Sequence, residues 1–115
     1  MNGLSVQTRT EGEAVVVALV GAADVAGAAT LDRELTMLSA RRPARVVFDL
    51  SGVTFISSLC IGALVSFYRG SAGWKGTVAL AGANETVAGA LRRCRLDHLF
   101  SMPPNSNLND VATDS

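Results

Sequence analysis

Apolar and polar positions alternate from Leu4 to Thr10, pause at Glu11-Gly12, and give way to a valine-rich run from Glu13 to Val20. A period of two, then a turn, then a β-branched run predicts an antiparallel hairpin. Past Gly21 the period lengthens. Leu31, Leu35 and Leu38, with Ala28 and Met37 nearby, recur at helical spacing and predict a helix from Ala26 to Ala40. Arg41, Arg42 and Pro43 end it, since the residue before a proline is pushed out of the helical region.

"ARVVFDL", ending at Leu50, reads as a strand buried on both faces, with Gly52 marking the loop after it. A second helix is predicted to begin at Ser57 or Ser58, with Ile61, Leu64, Val65 and Tyr68 on one apolar stripe. The glycines of "RGSAGWKG" break it. "TVALAG" is a further buried strand, and Asn84-Glu85 opens a third helix with Val87, Leu91 and Cys94 along one side. Leu99 to Met102 is a candidate final strand before Pro103-Pro104. The order ββαβαβα requires parallel crossovers, which are right-handed, so an α/β fold is expected: a mixed sheet with all helices on one face.

Composition narrows the class. The 115 residues are 49% hydrophobic, enough for one core, so residues 1–104 are expected to form a single domain followed by a polar tail, 105–115. Ten basic residues balance ten acidic ones and are mostly scattered arginines; the pairs Arg41-Arg42 and Arg92-Arg93 plus Arg95 are too short to change this, which predicts no continuous positive surface and no nucleic-acid partner. No apolar run reaches the ~20 residues of a membrane span, and "MNGLSVQTRT" lacks the pattern of a signal peptide. A cytoplasmic location without membrane insertion is the expectation. Cys60 and Cys94 are too few for a disulfide framework or a zinc site.

The order of elements and the segment "VVFDLSGVTFISSLCIGAL" together resemble the STAS family, the domain shared by bacterial anti-sigma factor antagonists and sulphate transporters. The resemblance covers nearly the whole chain. The family's signature typically reads F-[IM]-D-S-S-G-[LI]-G, and this chain has Phe55-Ile56-Ser57-Ser58-Leu59-Cys60-Ile61-Gly62. "LVGAADVAGAATL" is similar to the family's link from second strand to first helix, with Asp24 matching its aspartate. "LRRCRLDHLF" is similar to its third helix and exit, with Arg95 in place of a glycine.

The resemblance implies a STAS-like mixed sheet and a protein-binding role. In the family the first serine after the signature aspartate is phosphorylated by an anti-sigma factor that is also a kinase, and by alignment that serine is Ser58. Ser57 replaces the aspartate, and is itself a competing acceptor; Leu59 and Cys60 replace the following serine and glycine. The partner surface implied is Asp24 with Ser57, Ser58, Leu59, Cys60, Ile61 and Gly62. The partner implied is an anti-sigma factor of the serine kinase type, whose capture frees a sigma factor. The alternative is a stand-alone STAS subunit of a membrane transport or lipid-trafficking complex, which needs no phosphate switch.

Other chemistry finds little support. A serine opening a helix also has the plain role of capping it. Cys60, near a helix N-terminus, and Cys94 are the candidate redox residues, although Cys60 also suits a small apolar core position. His98 and Asp97 come with no nucleophile elbow or oxyanion loop to make a hydrolase of Ser58. "GAADVAG" and "GANETVAG" lack the dinucleotide glycine order and the P-loop lysine. No catalytic residue, cofactor or metal site is therefore assigned, and the protein is read as a binding domain rather than an enzyme.

Overall fold

Valine and alternation build the N-terminal ribbon. Strands β1 (Ser5–Glu11) and β2 (Ala14–Ala23) pair antiparallel around Gly12, which turns at φ 62°. The computed structural model describes residues 3–99. Helix α1 (Val25–Ala40) then crosses to β3 (Arg45–Ile56), and α2 (Ser58–Ser71) crosses to β4 (Thr77–Ala81); α3 (Glu85–Arg93) follows. The sheet runs β1-β2-β3-β4, with the last two pairings parallel.

The mixed α/β architecture is the expected one, but the burial of β3 is not. Register places Val15 beside Val46, Val17 beside Phe48, and Phe48 beside Leu80, so these side chains share the face under the helices. Phe48, Leu19 and Leu50 are fully buried there. Their alternates Ala18, Val47, Asp49, Ala79 and Ala81 are only half-buried. One face of the sheet is open, so "ARVVFDL" is not covered on both sides as its continuous apolar run suggested.

The larger correction concerns where β3 ends. Gly52 does not mark a loop; the strand continues to Ile56 through two register shifts against β2, where Ala18 opposes Asp49 but Val20 opposes Gly52, and Gly21 opposes Val53 but Ala22 opposes Phe55. Each shift adds a residue to β3, a bulge. Buried positions therefore step from Val46, Phe48 and Leu50 to Val53 and Ile56. At the first bulge the Asp49 Oδ1 accepts hydrogen bonds from the Ser51 backbone N–H (3.0 Å) and hydroxyl (2.7 Å). Gly52 fits because a Cβ would lie 3.0 Å from Val20 Cγ2 and 3.2 Å from the Leu19 carbonyl.

Helix α2 also runs further than its glycines suggest, into a 3-10 turn at Ala72–Trp74. Cys60, Ile61, Leu64, Phe67 and Ser71 form its buried side, while Val65 and Tyr68 are half-buried. Phe67 packs edge-on against both Phe48 (5.7 Å) and Trp74 (6.0 Å). On α3, Val87 and Leu91 are buried, but Cys94 lies past the last turn and is exposed. Leu99 ends a second 3-10 turn, Asp97–Leu99, rather than beginning a strand; residues 100–102 and the tail lie outside the described residues.

Candidate functional site

Asp24 and Ser57 stand at equivalent points, each following a parallel strand and preceding a helix. Each is extended and accepts a bond from the third residue on: Asp24 Oδ1 from the Gly27 N–H at 2.8 Å, Ser57 Oγ from the Cys60 N–H at 3.3 Å. These bonds satisfy orphan donors of the first helical turn. Two cross-links bring the caps together. The Ser57 N–H donates to the Ala23 carbonyl at 2.8 Å, and the Cys60 thiol donates to the Asp24 carbonyl at 3.4 Å.

The four residues from Ser57 to Cys60 thereby take different roles. Ser57 is half-buried with its oxygen engaged in the cap. Ser58, the first residue of α2, is exposed, and its hydroxyl bonds to no described residue. Leu59 is exposed to 55%. Cys60 is fully buried. Burial pushes the Cys60 thiol above its ordinary pKa and the nearby Asp24 adds to the rise, outweighing the hydrogen bond with Ser57.

Of the residues expected on a partner surface, Asp24, Ser57, Ser58, Leu59 and Gly62 meet at this end of the sheet with at least part of each accessible. Cys60 and Ile61 do not belong to that surface. Their side chains turn inward because they occupy the helix face that packs on the sheet, so they position it from beneath. Sequence reasoning missed Val20, Val25 and Phe55, which are 49%, 66% and 43% exposed. Val25 directly follows the Asp24 cap, and Phe55 precedes the Ser57 cap opposite Ala22. The signal for Phe55 was the broken alternation of "SGVTFIS", which marks the bulges that aim it at solvent. With Leu59, these are four of the five large apolar side chains exposed among the described residues.

The described segments that close the sheet at this end, residues 19–27, 55–62 and 82–87, carry no lysine or arginine side chain. Cys94 lies elsewhere, beyond α3. His98 packs its ring on Tyr68 at 5.8 Å, and its Nδ1 lies 3.0 Å from the Arg95 carbonyl. Tyr68 is about 15 Å of helix away from Ser58, so the histidine has no access to that hydroxyl. Among the described residues no three His, Cys, Asp or Glu side chains converge to hold a metal ion.

At this end an exposed hydroxyl stands on a helix N-terminus, next in the chain to the exposed Leu59 and near the exposed Phe55 and Val25. A solved anti-sigma factor antagonist from Mycobacterium paratuberculosis shares the fold with a TM-score of 0.79 at 22% identity, covering 96% of this chain and 92% of that one. The anti-sigma factor antagonist SpoIIAA in its unphosphorylated form gives 0.76 at 16% identity, covering 96% and 98%. The Bacillus cell fate determinant SpoIIAA in its phosphorylated form gives 0.71 at 13%, covering 96% and 100%. No curated protein sequence matches. A family model does: that of the Mlab STAS domain aligns with residues 6–103, from the first strand to beyond the last described turn, and the chain belongs to the STAS family.

Proposed function

We propose that this domain is an anti-sigma factor antagonist that captures an anti-sigma factor through the end of the sheet carrying Asp24 and Ser58, and is released by phosphorylation of Ser58. The observation that carries the reading is the state of the two serines. The Ser57 oxygen is engaged in capping α2, whereas the Ser58 hydroxyl is exposed and unbonded amid Leu59, Val25 and Phe55. The likeness in fold to antagonists in unphosphorylated and phosphorylated forms supports it.

The switch follows from charge. Phosphate would add about two negative charges at Ser58. The α2 macrodipole tolerates them, so the fold survives. With no lysine or arginine in the surrounding segments, the charge stays unneutralised within the protein, and an apolar docking surface becomes an anionic one. A penalty of about 1.4 kcal/mol already weakens binding tenfold.

A second reading, constitutive docking on a subunit of a membrane transport complex, draws support from Ser57 standing where the family signature has a carboxylate and from the bulk of Leu59. Affinity capture from host lysate with wild type and Ser58→Glu tests both. An anti-sigma factor retained by wild type and lost with glutamate supports the switched antagonist. Equal retention of that factor removes the switch, and capture of transport components alone overturns the antagonist reading.

A further inference from the structure

Five of the ten basic residues, in two groups far apart along the chain, meet at the end of the sheet opposite Ser58. Arg41 and Arg42 follow the end of α1, and Arg45 begins β3. Arg45 stands opposite Thr77 on the neighbouring strand, about 4.8 Å away in the sheet. Lys75 lies two residues before Thr77, and Arg69 is in the last turn of α2. The loops bearing them are pinned together: Trp74 Nε1 donates to the Pro43 carbonyl at 2.8 Å, and the Thr77 N–H to the Ala44 carbonyl at 3.0 Å.

All five side chains belong to exposed residues, and none forms an ion pair with a described residue; the ion pairs between described residues are Arg9–Glu11 and Arg92–Glu85. Among the described residues, the hairpin turn brings carboxylates to this end, where Arg9 holds Glu11 and leaves Glu13 without an ion pair. Arg42 and Lys75 adopt φ 47° and 61°, left-handed positions that favour glycine. Cations occupy both.

The choice among anionic partners rests on what accompanies the charge. Met37, 58% exposed, lies one helical turn before Arg41 at the edge of this cluster. Of the aromatic rings nearby, Phe67 and Trp74 pack against each other and the core, and the half-buried Tyr68 packs against His98, so none stands free to stack on bases. Cations beside an exposed flexible apolar side chain suit a bilayer headgroup region, where charge attracts and the thioether dips in. No described helix is long and apolar enough to cross a membrane.

We propose that this basic end rests on anionic phospholipid headgroups, leaving the Asp24–Ser58 end facing away from the membrane for its protein partner. The test is co-sedimentation of the full chain with vesicles of phosphatidylcholine alone and with about 30 mol% phosphatidylglycerol. Binding is expected only to the anionic vesicles, falling as salt rises from about 0.05 to about 0.5 M. Arg41→Gln/Arg42→Gln should lower the vesicle-partition constant by roughly thirtyfold, while Arg33→Gln/Arg92→Gln, with the same charge change outside the cluster, should lower it far less. Circular dichroism and urea midpoints confirm that both variants are folded. Equal binding to both vesicles, no binding to either, or equal losses in the two variants would overturn the proposal. Tighter retention on random-sequence duplex DNA than on anionic vesicles would assign the basic end to nucleic acid instead, and would also overturn it.

Discussion

The Cys60 thiol donates to the Asp24 main-chain carbonyl at 3.4 Å, joining the first turn of α2 to the cap of α1 across 36 residues of sequence. With the Ser57 N–H to Ala23 carbonyl bond of 2.8 Å, it holds the two helix starts as one surface. The thiol is a buried donor in this role, so its neutral form is the one the fold uses.

That role has a pH signature. Because burial raises the folded thiol's pKa, the folded state holds its proton more tightly than the unfolded chain does. Its contribution is complete below about pH 9.0, the ordinary thiol value, and declines as pH rises above it. Urea unfolding from pH 7 to 10.5 should show wild-type stability falling more steeply at the alkaline end than that of Cys60→Ala. The variant should be about 1–2 kcal/mol less stable at pH 7, from the lost sulfur in a closed site. In native protein a thiol reagent should label the exposed Cys94 first and reach Cys60 only through opening.

Helix caps should separate the two serines. Ser57→Ala removes the cap of α2 and should cost about 1 kcal/mol, whereas Ser58→Ala, which loses no internal bond, should stay within about 0.5 kcal/mol of wild type. Asn84→Ala should cost more than either, about 2 kcal/mol, because its Oδ1 caps α3 at 2.8 Å while its Nδ2 donates to the Val53 carbonyl at 3.1 Å. Equilibrium denaturation of the three variants checks the order.

Two glycines should respond in opposite directions to alanine. At Gly62 a Cβ meets nothing within 4 Å on an exposed helix position, and helix propensity predicts a gain of about 0.5–1 kcal/mol. At Gly76 a Cβ would lie 2.6 Å from Trp74 Nε1 and 2.9 Å from the Pro43 carbonyl, displacing the bond between them. A loss of about 2–3 kcal/mol is expected there. Thermal melts of the pair read both signs.

Arg95 holds φ 61° just beyond α3, in the left-handed conformation that ends many helices. Arg95→Gly should raise the urea midpoint, with a net gain of about 0.5–1 kcal/mol after the greater freedom of glycine in the unfolded chain. An unchanged or lower midpoint would show that the arginine side chain compensates the backbone cost.

The apolar rim should matter to binding and not to folding. Leu59→Ser and Phe55→Ser remove exposed side chains, so each should leave stability within about 0.5 kcal/mol while weakening capture of the protein partner. Loss of capture with an unchanged melt places the partner on this end. Unchanged capture by both variants places it elsewhere.

Local chemistry alone determined the kinds of element and most of their starts. Period two and valines marked the hairpin; period 3.6, with Ser57 and Asn84 at two of the starts, marked the helices, because alternation and capping act over a few neighbouring residues. The βαβ order then constrained the sheet, since crossovers of one hand leave few arrangements. Tertiary structure decided what depends on distant partners. The register of β3 against β2 creates the bulges that extend the strand past Gly52 and expose Phe55. The side of α2 that meets the sheet removes Cys60 and Ile61 from the surface while leaving Ser58 and Leu59 on it. The return of each crossover to the same end of the sheet brings Arg41, Arg42 and Arg45 together with Arg69 and Lys75, which lie far along the chain from them. Side-chain periodicity reports which residues can be buried together, but only the pairing of remote strands sets which exposed ones become neighbours.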